Sequence, residues 1–131
     1  MTGEVKFTVN IKGDYTQEQW SGSFTIKTRL SYRDTLRQDQ VRRELLGPDP
    51  SNNASEDAKG IAQVFSFLSV YVTHAPRWWT ENENGLSLED NNLAPEVYRL
   101  AMEKLAEAIK ERDAKVEEAR KTLAKDAAQA T

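Results

Sequence analysis

The sequence predicts an α+β fold in which an N-terminal antiparallel β-hairpin precedes three α-helices, the last of them long and projecting. Three patterns lead to this prediction. Near the N-terminus apolar residues alternate with polar ones, which is the period of a strand with one buried face. Residues 59–79 repeat apolar side chains at helical spacing. Residues 98–123 repeat them in steps of four and three, which is the spacing of a coiled-coil seam.

A chain of 131 residues has room for one domain with a core of its own. We place that α+β domain at residues 1–109 and a charged C-terminal helical arm at 110–131. Within the domain we predict a hairpin at 4–30, a helix at 31–46, a linker at 47–55, a central helix at 56–75 and an acidic loop at 80–94.

The composition excludes several classes of protein. Charged residues make up 30% of the chain and hydrophobic ones 38%, and no apolar run approaches the roughly 18 residues of a membrane span. The N-terminal residues contain no apolar stretch of the kind found in signal peptides, so we expect an intracellular protein without a membrane partner. The absence of cysteine excludes disulfides, thiolate chemistry and cysteine metal sites.

The predicted hairpin supplies one wall of the core. Its first strand alternates through residues 5–11, and its second takes the inward phase from Trp20 onward. The hairpin residues that we assign to the core are Phe7, Val9, Phe24 and Ile26. A hairpin alone is marginally stable in water, so a helix or a neighbouring subunit must cover its apolar face. Gly22 at an inward position indicates a bulge or a close approach.

The first predicted helix begins at a capping box formed by Ser31 and Asp34. Its apolar residues divide between two opposite sides, so both sides are expected to make contacts. Two arginines, Arg33 and Arg37, share a face without an intervening acid. They form either a solvated basic face or part of a partner site.

The central helix begins at the capping residue Ser55 and ends near His74, because Pro76 follows. The core residues that we assign to it are Ile61, Val64, Phe65, Leu68, Tyr71 and Val72. Beyond it lies the sequence Arg77-Trp78-Trp79. Two adjacent tryptophans cannot both enter the same side of a core, so one closes the core and the other stacks on the arginine or enters a neighbouring molecule.

The acidic loop and the last helix complete the chain. The loop resembles a calcium-binding loop, but Thr80 and Asn91 stand where that loop needs a carboxylate and a bidentate glutamate. Leu86 and Leu88 are expected to hold it on the core. The last helix has large seam residues up to Ile109 and weaker ones beyond. Its C-terminal half either projects into solvent or pairs with another chain.

Charge is unevenly distributed along the chain, whose net charge is -3. Residues 27–43 carry six basic and two acidic side chains, whereas residues 48–96 carry two basic and eight acidic ones. Such opposite patches indicate internal pairing or head-to-tail contact between copies. The basic segment 27–43 is also a candidate nucleic-acid surface, although it lacks interleaved aromatic residues.

No pattern in the chain is typical of catalysis. His74 is the sole histidine and precedes a proline-terminated helix end. The sequence has no glycine-rich phosphate loop, nucleophile elbow or metal-ligand cluster. We therefore expect a protein that is not an enzyme and needs no cofactor.

Five stretches of the sequence, spread over about residues 20–105, together resemble a tailed-bacteriophage morphogenesis protein, closest to a phage tail assembly chaperone. These stretches are Gly22-Ser23-Phe24 through Leu30-Ser31, Arg37 to Gly47 ending in Arg42-Arg43-Glu44-Leu45-Leu46-Gly47, Ala75-Pro76 with Trp78-Trp79, Gly85-Leu86 with Asp90, and Val97-Tyr98 with Ala101. The long charged arm after Ile109 is not part of this pattern.

The resemblance implies a protein that binds the tape-measure protein and helps tail-tube subunits to assemble around it in the host bacterial cytoplasm, without catalysis. We expect this binding on the helix that begins at Tyr32 and at the tryptophan corner. The candidate partner-binding residues are Tyr32, Arg33, Leu36, Arg37, Arg77, Trp78 and Trp79. Two alternatives remain: a structural virion subunit of the capsid or tail that contacts its own copies, and a nucleic-acid-binding module that uses residues 27–43.

Overall fold

A computed structural model describes residues 3–47 and 55–129 of the chain. The elements are β1 (Glu4–Lys12), β2 (Gln19–Lys27), α1 (Tyr32–Leu46), α2 (Glu56–Tyr71), β3 (Val72–His74), α3 (Arg77–Thr80) and α4 (Leu93–Gln129). The predicted fold class is confirmed, since an antiparallel hairpin precedes the helices and the last helix is long. Most of the predicted linker, residues 48–54, lies outside the described residues.

The two hairpin strands pair along their full length, with Val5 opposite Ile26 and Phe7 opposite Phe24. All four core residues assigned to the hairpin are buried. The rings of Phe7 and Phe24 stack with their centroids 5.6 Å apart. The period-2 pattern of the sequence therefore identified the buried face of this sheet correctly.

The sheet has a third strand that the sequence did not predict. The central helix ends at Tyr71 rather than near residue 75, and β3 pairs antiparallel with β2. The Oγ1 atom of Thr73 donates a hydrogen bond to the carbonyl oxygen of Thr25 over 3.3 Å. Val72 and Thr73 are β-branched residues, which suit a strand, and the free edge of β2 gives them a partner. Val72 lies partly buried against the core, as predicted, but in a strand.

The buried side of α2 differs from the predicted one. Leu68 is buried, and Val64, Phe65 and Tyr71 are half-buried against the core. Ile61, however, is 52% exposed, so its assignment to the core is wrong. The residues of α2 that are fully buried are Ala62, Ser66, Phe67, Leu68 and Val70. A helix that is apolar on most sides does not reveal which part of its surface will meet the sheet.

α1 begins with the predicted capping box, in which Ser31 and Asp34 exchange hydrogen bonds. No residue of this 15-residue helix is buried. Its contacts are chiefly with α2. The helix therefore lies on the outside of the domain and keeps one long side free.

α4 packs on the domain through its N-terminal part and then leaves it. Leu93, Val97, Ala101 and Leu105 are buried, and Tyr98 meets the ring of Phe67 edge-on with centroids 5.1 Å apart. Farther along, the Arg112 guanidinium donates a weak hydrogen bond to the carbonyl oxygen of Thr28 over 3.4 Å. Every residue from 113 to 128 is exposed. Within the described ranges, no helix has the length and apolar character needed to cross a membrane.

Candidate functional site

Trp79 closes the core, and Trp78 lies at its edge. The Trp79 side chain is 2% exposed, and its ring meets Phe24 edge-on at 5.3 Å and stacks near Phe65 at 6.4 Å. One tryptophan was expected to close the core, and Trp79 takes that place. The assignment of Trp79 to an exposed partner surface is corrected, because its ring is enclosed by these aromatic side chains and belongs to the core.

Trp78 ties the short helix α3 to the hairpin. Its Nε1 atom donates a hydrogen bond to the carbonyl oxygen of Ser21 over 2.9 Å, and its ring lies 5.3 Å from that of Trp20. Arg77 forms an ion pair with Glu81, with Nε and Oε1 separated by 2.6 Å. Trp78 is therefore partly buried and makes its contacts within the domain, and Arg77 is exposed beside it.

Gly22 and Gly85 allow close approaches at this corner. A Cβ atom on Gly22 would stand 2.5 Å from Cγ of Pro76, so the inward glycine marks a close approach, one of its two predicted meanings. Gly85 adopts a φ of 91°, and a Cβ atom there would stand 2.5 Å from Cη2 of Trp79. Only glycine fits both the left-handed backbone and the indole ring at position 85.

Asp90 anchors the acidic loop to the hairpin turn. Its side chain is buried and accepts hydrogen bonds from the backbone amides of Tyr15 and Thr16, each over 2.8 Å. It also accepts them from Oγ1 of Thr16 over 2.6 Å and from Nε1 of Trp20 over 2.8 Å. Burial by itself raises the pKa of Asp90, but the hydrogen bonds together outweigh it and lower the pKa to about 2.

Asn92 strengthens the same attachment. Its Nδ2 atom donates to the carbonyl oxygen of Lys12 over 2.9 Å, and its Oδ1 atom accepts from the amide of Asp14 over 3.0 Å. The sequence predicts that Leu86 and Leu88 hold the loop of residues 80–94 on the core. Leu88 does pack against the core, but Leu86 is substantially exposed, and the polar side chains make the attachment.

Two neighbouring apolar pockets follow each other along α2, between that helix and the anchored loop, and we call them together the α2 cleft. The narrow part, of about 180 Å³, lies beside α1, and the wider, open part, of about 560 Å³, lies toward the N-terminus of α2. The two parts share Phe65 and Leu86 as common lining residues. The apolar side chains that line this α2 cleft are Val41, Leu45, Ile61, Val64, Phe65, Leu68, Val72, Trp79, Leu86, Leu88, Ala94 and Pro95.

Acidic side chains border the α2 cleft. Glu56 and Asp57 lie at its wider end, and Glu83 lies beside its narrow part. Glu56 is paired with Lys59, whereas Asp57 and Glu83 have no cationic partner among the described residues. An elongated apolar cleft with an acidic border suits an amphipathic helix with basic residues along its flank. The sequence does not reveal this site, because the helical spacing of apolar residues predicts Ile61 as a core residue.

The predicted partner-binding residues on α1 form a separate surface. Tyr32 is 94% exposed and Leu36 is 71% exposed, with Arg33 exposed beside them. We call these three residues the α1 outer face. Arg37 turns toward α2, where its Nη2 atom donates to the carbonyl oxygen of Ser69 over 3.1 Å. The α1 outer face therefore contains three of the predicted partner-binding residues. Arg77 and Trp78 lie on α3 instead of α1.

The basic segment is partly neutralised by its own acids. Lys27 pairs with Asp34, while Arg42 and Arg43 both pair with Asp39.

Residues 3–47 and 55–129 contain no group of three or more histidine, cysteine or acidic side chains placed to hold a metal. In the same ranges, each buried side-chain nitrogen or oxygen has a hydrogen-bond partner.

The chain was compared with models of protein families, with curated proteins and with solved structures, and none of the three comparisons gave a match.

Proposed function

We propose that this protein is a non-catalytic morphogenesis protein of a tailed bacteriophage, a tail assembly chaperone that binds a helix of the tape-measure protein. The proposal starts from the resemblance of residues 20–105 to such chaperones. The α2 cleft is the structural observation that supports it, because the cleft has the form and the border that helix recognition needs.

In this proposal the tape-measure helix lays its apolar side chains along the α2 cleft. Ile61 and Leu86 are exposed apolar residues of the lining and would meet the apolar stripe of the partner. Basic residues flanking that stripe would lie near Asp57 and Glu83. Tail-tube subunits would then assemble on the tape-measure protein while the chaperone keeps its apolar stripe from aggregating in the host cytoplasm.

The test uses peptides of about 25 residues that tile the tape-measure protein encoded in the same phage genome, a length that spans several helical turns. Retention of each peptide on the immobilised full-length protein is measured. We expect at least one amphipathic, basic peptide to be retained, and Ile61→Asp to weaken its binding at least about tenfold, because a carboxylate would stand in the apolar lining.

Leu123→Asp is the matched control, since it places the same carboxylate on an exposed leucine of the distant C-terminal arm. It should leave peptide binding unchanged. Because both leucine and isoleucine side chains are exposed, both variants should fold. Retention of no peptide, or equal binding by the Ile61→Asp variant, would contradict the proposal.

A structural virion subunit is the second candidate. It is favoured by the α1 outer face, because a nearly fully exposed tyrosine beside an exposed leucine suits contact between subunits. Mass spectrometry of washed, intact virions separates the two candidates. A chaperone should be missing from the particles, whereas a virion subunit should be present in a number that matches a symmetric lattice.

A further inference from the structure

The acidic and basic segments of the chain do not neutralise each other within one molecule. Within the described ranges, no ion pair joins residues 27–43 to the described part of the acidic segment. Arg29 and Arg33 are exposed and have no acidic partner there, and the same holds for Asp57, Glu83 and Glu89 with respect to cations. Of the two explanations for the opposite patches, contact between copies is the one left open.

The unpaired charges accompany two surfaces with exposed apolar side chains. Arg33 is exposed on the α1 outer face with Tyr32 and Leu36, and Asp57 and Glu83 border the α2 cleft with Ile61 and Leu86. One surface is a convex helix side with a positive charge. The other is a concave cleft with negative charges, so the two surfaces are complementary in shape and in charge, and both are apolar at their centre.

We propose that the α1 outer face of one copy docks in the α2 cleft of a second copy. Tyr32 and Leu36 would enter the apolar lining formed by Ile61, Phe65 and Leu86, and Arg33 would approach the acidic border. This inference goes beyond the proposed function, because it assigns a role to the α1 outer face and requires no phage partner. The second copy and the tape-measure helix would compete for the same α2 cleft.

Such a contact is heterologous, because it joins two different surfaces. Each docked copy therefore still presents one free face and one free cleft, and association continues until a ring closes or an open chain forms. A single helix in a single cleft is a small interface, so association should depend on concentration across the range from about 1 µM to about 1 mM that weak contacts occupy.

The first test is sedimentation equilibrium of the full-length protein across that range. We expect an average mass that rises with concentration. The Leu36→Asp and Ile61→Asp variants should each remain monomeric throughout. Leu123→Asp is the control, because Leu123 is exposed on the distant arm, and this variant should associate like the native chain. A native chain that stays monomeric, or a Leu123→Asp variant that alone loses association, would overturn the proposal.

Mixing the two monomeric variants gives a sharper test. The Leu36→Asp chain retains a native cleft, and the Ile61→Asp chain retains a native α1 outer face. Their equimolar mixture should therefore form a dimer that does not grow further, because its remaining face and cleft both carry a carboxylate. A mixture that stays monomeric would refute the heterologous contact.

The charge contribution is tested at Arg33. Arg33→Glu should raise the dissociation constant of self-association by about tenfold or more, whereas Arg33→Lys should retain most of it, and added salt should weaken the native contact. Equal association by the Arg33→Glu chain would overturn the proposal.

These outcomes are distinguishable from failure of the proposed function. If a tape-measure peptide binds but the native chain stays monomeric at every concentration, only the self-association fails. If no peptide binds but the mixture of variants forms its dimer, only the chaperone function fails.

Discussion

Replacing Gly22 or Gly60 by alanine is expected to change the stability of the protein in opposite directions. Both are glycines without a left-handed backbone, so alanine strains neither conformation. At position 22 the new Cβ atom would stand 2.5 Å from Cγ and 2.8 Å from Cβ of Pro76. At position 60, an exposed position within helix α2, the new Cβ atom would meet nothing within 4 Å. Contact with the proline ring is therefore the chief difference between the two variants.

The magnitudes follow from that contact. A proline ring cannot rotate away, so Gly22→Ala must displace either β2 or the start of α3, and overpacking of this kind costs about 1–3 kcal/mol. Restriction of the unfolded chain offsets about 0.4–1 kcal/mol of that cost. We expect a net destabilisation of about 1–2 kcal/mol. Gly60→Ala should stabilise the protein by about 0.5–1 kcal/mol, because alanine is the better helix former.

Equilibrium unfolding in urea, followed by tryptophan fluorescence, measures both changes. The midpoint should fall for Gly22→Ala and rise for Gly60→Ala, while the slope stays the same for both. The near-ultraviolet circular dichroism of the folded Gly22→Ala protein should also change, because Trp78 lies beside Pro76 at this corner. Two midpoints that shift in the same direction, or a Gly22→Ala variant as stable as the native chain, would refute the proposed close contact.

Three further predictions concern the core, the anchor and the arm. Leu68→Ala should cost about 2–5 kcal/mol because this side chain is buried, whereas exposed Ile61→Ala should stay within about 0.5 kcal/mol, as measured by unfolding in urea. The pKa of Asp90 is lowered from 3.8 to about 2 in the folded protein, so its contribution to stability is complete above pH 3.8 and is lost as the pH falls toward 2. Thermal unfolding of the Asp90→Asn variant should show a smaller acid dependence in that interval, and an unchanged dependence would contradict the anchor. A chain truncated after Arg112 should unfold at nearly the native temperature at matched concentration, since every residue from 113 to 128 is exposed; a much lower temperature would show that the arm belongs to the core.

The features that could be predicted from the sequence are those determined by residues close together in the chain. Strict alternation identified the buried face of the hairpin, and the spacing of Ser31 and Asp34 identified the start of α1. Both patterns depend on residues that are close in the chain, so tertiary contacts elsewhere in the protein do not change what they predict. The prediction that one tryptophan closes the core rested on a similarly local argument, because adjacent side chains cannot share one direction.

The remaining features depend on contacts between distant residues. Asp90 finds its partners about 70 to 75 residues away in the hairpin turn, and no local pattern marks an aspartate in an acidic loop as buried. β3 continues the apolar pattern of α2 and becomes a strand only because β2 offers it a free edge. Ile61 lies on the same apolar stripe as Phe65, yet the sheet and α4 meet another part of α2. Ile61, predicted as a core residue, is therefore exposed and lines the candidate site.

The anchors that stabilise the fold also fix the shape of the α2 cleft. One wall is α2 itself, and the other is the loop that Asp90 and Asn92 hold on the hairpin turn. Gly85 brings that loop onto the ring of Trp79, which in turn packs on Phe65 from the first wall. Because both walls are held before any partner arrives, a helix that enters the cleft need not order the loop, and less of the binding free energy is lost to conformational entropy. The buried carboxylate and the glycine contact therefore contribute to the candidate site by keeping it open in the free protein.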